Sequence, residues 1–197
     1  MTFKTLKPQD RYKTVVIPVI NGEYVVVEDR TYNELTFVVG GCKLKEIGGK
    51  PLPKAVFDKD YKSFKTCALR ELKEETRGAL GNIRPEQLKH GFKFSSRDRS
   101  TSELKKDEKE GWVVTMRYTA YYLYLDIPTT KFSTIQRRFK NAPVKRKEDM
   151  ETQRILLVSK DELANDKKGK LWRFMKENVL CKLKWSSSLI KLKYLWI

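Results

Sequence analysis

The 197-residue sequence predicts an α+β fold, with helices laid against a mixed β-sheet in one domain spanning residues 1–197. Three observations carry that prediction. Asn21-Gly22 separates two β-branched runs, which is a strong hairpin signal. Trp112–Leu125 is a long strand-forming run with apolar residues at both parities, as a central strand requires. Between them, Tyr61, Phe64, Ala68 and Leu72 recur at helical spacing.

The elements follow in order. Strands are expected over Tyr12–Ile20 and Glu23–Asp29, and a third over Thr36–Val39 that ends at Gly40-Gly41. Residues 42–58, with Gly48-Gly49, Pro51 and Pro53, read as a loop. A helix begins near Asp58–Asp60, where acidic residues suit its N-terminal dipole, and stops near Arg77-Gly78. Phe92–Ser96 reads as a strand and the charged stretch Arg97–Gly111 as a surface loop. After the central strand, Lys131–Met150 reads as a second, basic loop and Thr152–Ser159 as a strand. Asp161–Leu180 has a helical apolar pattern, and residues from about 181 to 197 form a basic extension whose conformation stays open.

Composition narrows the function classes. The chain carries 42 basic and 25 acidic residues, a net charge of +17. Such a field favours polyanionic partners: nucleic acid, phosphorylated small molecules or an anionic membrane surface. Cys42, Cys67 and Cys181 form no zinc or disulfide pattern, and no apolar run approaches the roughly 20 residues that span a bilayer. These features predict a soluble intracellular protein with no membrane span. With His90 as the single histidine, mechanisms built on histidine clusters are improbable.

The stretch Cys67–Thr76 holds the chemistry. Glu71, Glu74 and Glu75 stand at i, i+3 and i+4, so a helix puts their carboxylates on one face. Two readings compete: a solvated face with ion pairs such as Arg70 with Glu74, or an oxygen-ligand site for Mg2+ or Mn2+. A strand ending in Gly-Gly, a loop and then Arg70-Glu71-Leu72-Lys73-Glu74-Glu75 resembles the signature of the Nudix hydrolases. The likeness runs over residues 12–180 and shifts the balance to the metal. Three departures accompany it. Lys62 stands where the family has a glutamate, the loop 42–58 is enlarged, and the closing glycine is displaced to Gly78 behind Arg77.

The resemblance implies a Nudix-type α/β/α sandwich and metal-dependent hydrolysis of a phosphoanhydride. It assigns metal to Glu74 and Glu75, makes Glu71 a ligand or general base, and has Arg70 orient the set. The Gly41 carbonyl, or that of Gly40, would be a further ligand. Family members take another carboxylate from a loop before a late strand, which places Glu151 first and Glu148 second. Asp58 or Asp60 would replace the contribution lost at Lys62. Lys73, Arg77 and Cys67 read as solvated or core residues.

The general character is similar to Nudix proteins of large DNA viruses, including mRNA-decapping enzymes, and to baculoviral members of the ADP-ribose pyrophosphatase type. A capped RNA is therefore the expected partner, in a host cytoplasm if the protein is viral. Phe37, Phe92 and Trp112 would stack on a base, with Tyr32 and Phe94 nearby, while Arg137, Arg138 and Lys145 hold phosphates. The alternatives are a nucleotide small molecule such as ADP-ribose or another nucleoside diphosphate-X compound, and an inactive Nudix fold that binds RNA. Oligomeric state stays open.

Overall fold

A computed structural model describes residues 4–5, 9–42, 61–95, 104–107, 112–128, 131–144 and 150–165. Only the backbone course is described for 4–5, 9–11, 61–63, 90, 92–95, 104–107 and 112–119. Strands β1 (Lys4–Thr5), β2 (Gln9–Ile20), β3 (Glu23–Asp29), β4 (Leu35–Thr36) and β5 (Val38–Gly41) precede helix α1 (Tyr61–Glu75). Then come β6 (Leu88–Ser95), β7 (Leu104–Asp107), β8 (Trp112–Asp126), α2 (Phe132–Asn141), β9 (Thr152–Val158) and α3 (Lys160–Asn165).

The sheet is mixed, as expected. β2 and β8 run parallel at its centre, from Gln9 opposite Met116 to Val19 opposite Asp126. Strands β3 and β5 pair antiparallel with β2, β6 and β7 with β8, and β9 with β3. The β2–β3 hairpin turns at Asn21 and Gly22, whose φ angles of 51° and 85° are the left-handed pair that an Asn-Gly turn supplies.

Alternation along the strands sorts side chains onto two faces. Val16, Val25, Val27, Leu123 and Leu125 form one core with Ala68 and Leu72 of α1 and Ile135 and Phe139 of α2. Val15, Ile17, Val26, Phe37 and Tyr122 form the other, closed by Leu163 of α3. Helices therefore cover both faces of the sheet, in an α/β/α sandwich. Among the described residues no helix is long and apolar enough to cross a membrane.

Two expectations for loops are corrected. Within Arg97–Gly111, Leu104–Asp107 is a strand that pairs with Trp112–Thr115. Within Lys131–Met150, Phe132–Asn141 is a helix that buries Ile135 and Phe139. The third strand is interrupted at Phe37, which separates β4 from β5. The expected loop at 42–58 is described only at Cys42. Asp58, Asp60, Lys145, Glu148, the part of the expected helix Asp161–Leu180 that follows Asn165, and the expected extension near 181–197 lie outside the described residues.

Candidate active site

Helix α1 is fixed to the sheet by its apolar face before its acidic face is used. Phe64, Cys67, Ala68 and Leu72 are buried, and the Phe64 ring stacks on Tyr121 at 3.7 Å between centroids. Cys67 is a core residue whose sulfur lies 3.4 Å from the Thr14 hydroxyl. This pinning sends Arg70, Glu71, Glu74 and Glu75 towards the end of β5.

Arg70 organises two of the carboxylates. Its Nη1 lies 2.7 Å from Glu71 Oε1 and 2.8 Å from Glu74 Oε2, and its Nη2 donates to the Gly41 carbonyl at 2.8 Å. The Gly41 carbonyl, expected as a metal ligand, is thus engaged by arginine. Glu71 packs directly on Gly40. A Cβ on Gly40 would come within 1.7 Å of the Glu71 carboxyl carbon, whereas one on Gly41 would meet nothing within 4 Å. The Gly-Gly pair is needed at its first position, to admit this carboxylate.

Glu75 has a different setting. Its carboxyl is pushed well above the usual range, first by desolvation and then by the charges of Glu71, Glu151 and Asp29; the Val39 amide, which donates to it, opposes the shift. Glu75 borders a cleft of about 220 Å³ together with Asp29, Tyr32, Glu34, Thr36 and Glu151. Glu151 enters from the residue before β9, and its carbonyl accepts from the Arg30 amide at 2.8 Å. Asp29 Oδ1 accepts from the amides of Thr31 at 2.7 Å and Tyr32 at 2.8 Å, which shapes the turn beneath Tyr32. The Tyr32 side chain, 74% exposed, stands at the cleft rim.

Arg77 is not merely solvated. With φ of 51°, it takes the left-handed position that ends α1, the Gly78 amide bonding to Lys73 O and the Arg77 amide to Glu74 O. Its Nη2 donates to the Thr152 carbonyl at 2.9 Å, and its guanidinium lies 4.2 Å above the Phe139 ring centre. It therefore joins the helix end, α2 and the strand start beside Glu151.

No family model and no characterised protein matches the chain by sequence. Solved structures do resemble it. A pyrophosphohydrolase from Bacillus subtilis is 18% identical, with 88% of this chain and 81% of that one covered and a TM-score of 0.41. An Ap4A hydrolase from C. elegans is 13% identical, with 91% and 98% covered and a TM-score of 0.44. A Nudix hydrolase from Nitrosomonas europaea is 12% identical, with 91% and 90% covered and a TM-score of 0.44. The likeness is one of fold. Identities and TM-scores this low leave the activity to the chain's own residues.

Among the predicted site residues, the structure brings Glu75 and Glu151 to one cleft, with Glu71 close enough to raise the Glu75 pKa. Arg70, Glu71 and Glu74 form the neighbouring ion cluster, tied to β5 through the Gly41 carbonyl. Phe37 is corrected: at the break between β4 and β5 it is fully buried in the second core and meets Tyr24 edge-on at 6.0 Å. Arg137 and Arg138 are exposed on α2 and neither lines the cleft. Phe92 lies on β6 and Trp112 opens β8; their side chains lie outside what is described. Asp29 and Glu34 were not anticipated, since acidic residues beside a turn carry no signal of their own.

Among the described residues, no three Asp, Glu, Cys or His side chains are gathered in ligating geometry. The donor chemistry nevertheless suits a hard cation. Asp29, Glu34, Glu75 and Glu151 border one cleft with oxygen donors only, and a divalent ion would reverse the electrostatic strain on Glu75.

Proposed function

We propose that the chain is a Nudix-type hydrolase of phosphoanhydride bonds that uses Mg2+ or Mn2+. The observation that carries this reading is the Glu75 carboxyl, kept desolvated among Glu71, Glu151 and Asp29 at a cleft wall. Glu75 and Glu151 would hold the cation, with Asp29 beside them. When bound, the cation neutralises phosphate oxygens and lowers the pKa of a coordinated water. Arg70 keeps Glu71 oriented against Gly40, so that this carboxylate reaches the site in one rotamer and can accept a proton from water. Asp29 sets the turn that presents Tyr32 as a stacking surface for a base.

The finer reading is decapping: attack on the 5′ cap of mRNA, releasing a 7-methylguanosine nucleotide and 5′-phosphorylated RNA. The net charge of +17 supports it. The second reading is hydrolysis of ADP-ribose or another nucleoside diphosphate-X compound, supported by a cleft of about 220 Å³ that suits a small ligand. Incubation of cap-labelled RNA, ADP-ribose and a nucleoside triphosphate with Mn2+ or Mg2+, against a chelated control, tests both. Faster turnover of ADP-ribose than of capped RNA would overturn decapping. RNA binding without hydrolysis of any of the three would leave an inactive RNA-binding fold.

A further inference from the structure

A second depression, of about 320 Å³, lies between α2 and β9, lined by Arg77, Gln136, Lys140, Gln153 and Arg154 around Phe139. It adjoins the acidic cleft at the start of β9, where Thr152 lines one and Gln153 the other. The two differ in sign: carboxylates border the first, and three cations with two amides border the second.

Two of the three cations are held in place. The Arg154 guanidinium bonds both oxygens of the buried Glu28, and Arg77 is fixed by the Thr152 carbonyl and the Phe139 ring. Donors held this way lose less side-chain entropy when a ligand arrives. Helix α2 extends the feature. Gln136, Arg137 and Lys140 share one exposed face, and no acidic residue occurs from Lys131 to Val144. Surface helices ordinarily mix both signs, so an all-basic face marks a polyanion contact.

We propose that this groove carries the phosphodiester backbone of a single-stranded RNA whose end lies in the acidic cleft. The placement of that end rests on the hydrolase reading; binding along α2 does not. The helix is ten residues, about 15 Å, long, more than a short polyphosphate needs. The depression of about 320 Å³ is a shallow groove in which the backbone of one strand can lie. Lysine and arginine contacts to phosphate release counterions and make binding steeply salt-dependent, while glutamine amides add sequence-independent hydrogen bonds.

The test is fluorescence anisotropy of a labelled oligoribonucleotide, in EDTA so that no hydrolysis intervenes, titrated with salt. The double variant Lys140→Glu, Gln153→Glu changes only exposed positions. It should weaken binding about tenfold or more at low salt and make the salt slope shallower by about one. Lys160→Glu combined with Asn165→Asp, both exposed on α3 beside the opposite face of the sheet, changes the net charge by the same amount and is the charge-matched control. A loss no greater in the double variant than in this control overturns the groove. Inorganic tripolyphosphate, measured in parallel, should lose less affinity than RNA; an equal loss overturns RNA as the ligand. Groove-dependent RNA binding by a protein that hydrolyses nothing would refute the hydrolase reading and support this one.

Discussion

On helix α1, Glu71 and Glu74 meet the guanidinium of Arg70 at 2.7 and 2.8 Å, whereas Glu75, one residue further on, faces Glu151 and Asp29 at the cleft. The residue type is the same and the helix is the same. What separates them is first the desolvation of Glu75 and then the charge of the neighbours, Glu71 included. Arg70 sets one positive charge between the two carboxylates of the first pair, and this cluster contributes to holding β5 against α1. The second is surrounded by its own sign, an arrangement that destabilises the metal-free fold and is relieved by a cation. On the proposed mechanism Arg70 positions Glu71 and Glu74 while Glu75 is left for the cation, and each variant below is a way to break that division.

The largest effect falls on Glu75. Glu75→Gln keeps the shape and removes the charge, and should lower phosphoanhydride hydrolysis on the order of 10²-fold or more, read as kcat/KM. The same variant should stabilise the metal-free protein near neutral pH. In the parent, burial and then the charges of Glu71, Glu151 and Asp29 raise the folded Glu75 carboxyl above its ordinary value of 4.5, so between the two values the folded state holds a proton that the unfolded state has released. Stability from this group is fully present below pH 4.5 and is lost as pH rises through the folded pKa. Thermal melts in EDTA should therefore show a falling contribution across that window in the parent and none in Glu75→Gln. Adding Mn2+ should restore stability to the parent and not to the variant.

Next in size is Arg70. Arg70→Ala leaves Glu71 and Glu74, each little exposed, without that cation, and should cost about 3 kcal/mol in urea unfolding. Its cost in stability should exceed that of any single Glu→Gln change in the cluster.

The glycines give a sharper contrast at lower cost. Gly40→Ala must displace the Glu71 carboxyl, so activity should fall about tenfold while stability changes by about 1 kcal/mol. Gly41→Ala, one residue on, has open space and should stay within about twofold of the parent. Equal losses at both positions would remove the role given to Glu71 packing.

The smallest effect concerns Arg77. Its left-handed backbone favours glycine by about 1 kcal/mol, while its side chain ties Thr152 to Phe139. Both Arg77→Gly and Arg77→Ala should destabilise, with alanine the worse by about 1 kcal/mol because it keeps the strain and loses the ties.

Much of the fold was legible because its signals are local. Asn21-Gly22 marked the hairpin, the apolar set through Phe64 and Leu72 marked α1, and Trp112–Asp126 marked the central strand. Helix α2 was hidden by its own charge: Phe132, Ile135 and Phe139 have helical spacing, yet the basic residues between them read as a loop. β7 was missed for a similar reason, since Leu-Lys-Lys-Asp has the charged composition that sheet edges tolerate. In the site, Glu75 and Glu151 were readable from motif and strand order. Asp29 and Glu34 were not, because only the β3–β4 turn brings them to the cleft. The burial of Phe37 depended on the break between β4 and β5, which composition does not mark, and the role of Arg77 on a contact 75 residues away.

The central claim is that Glu75 serves a cation-dependent phosphoanhydride hydrolysis. The most direct measurement is product release from capped RNA, ADP-ribose and a nucleoside triphosphate by the parent and Glu75→Gln, across a Mn2+ titration. The parent should turn over at least one substrate only when Mn2+ is present, and the variant should lose that turnover on the order of 10²-fold or more at every concentration. A parent inert towards all three, or a variant as active as the parent, would contradict it.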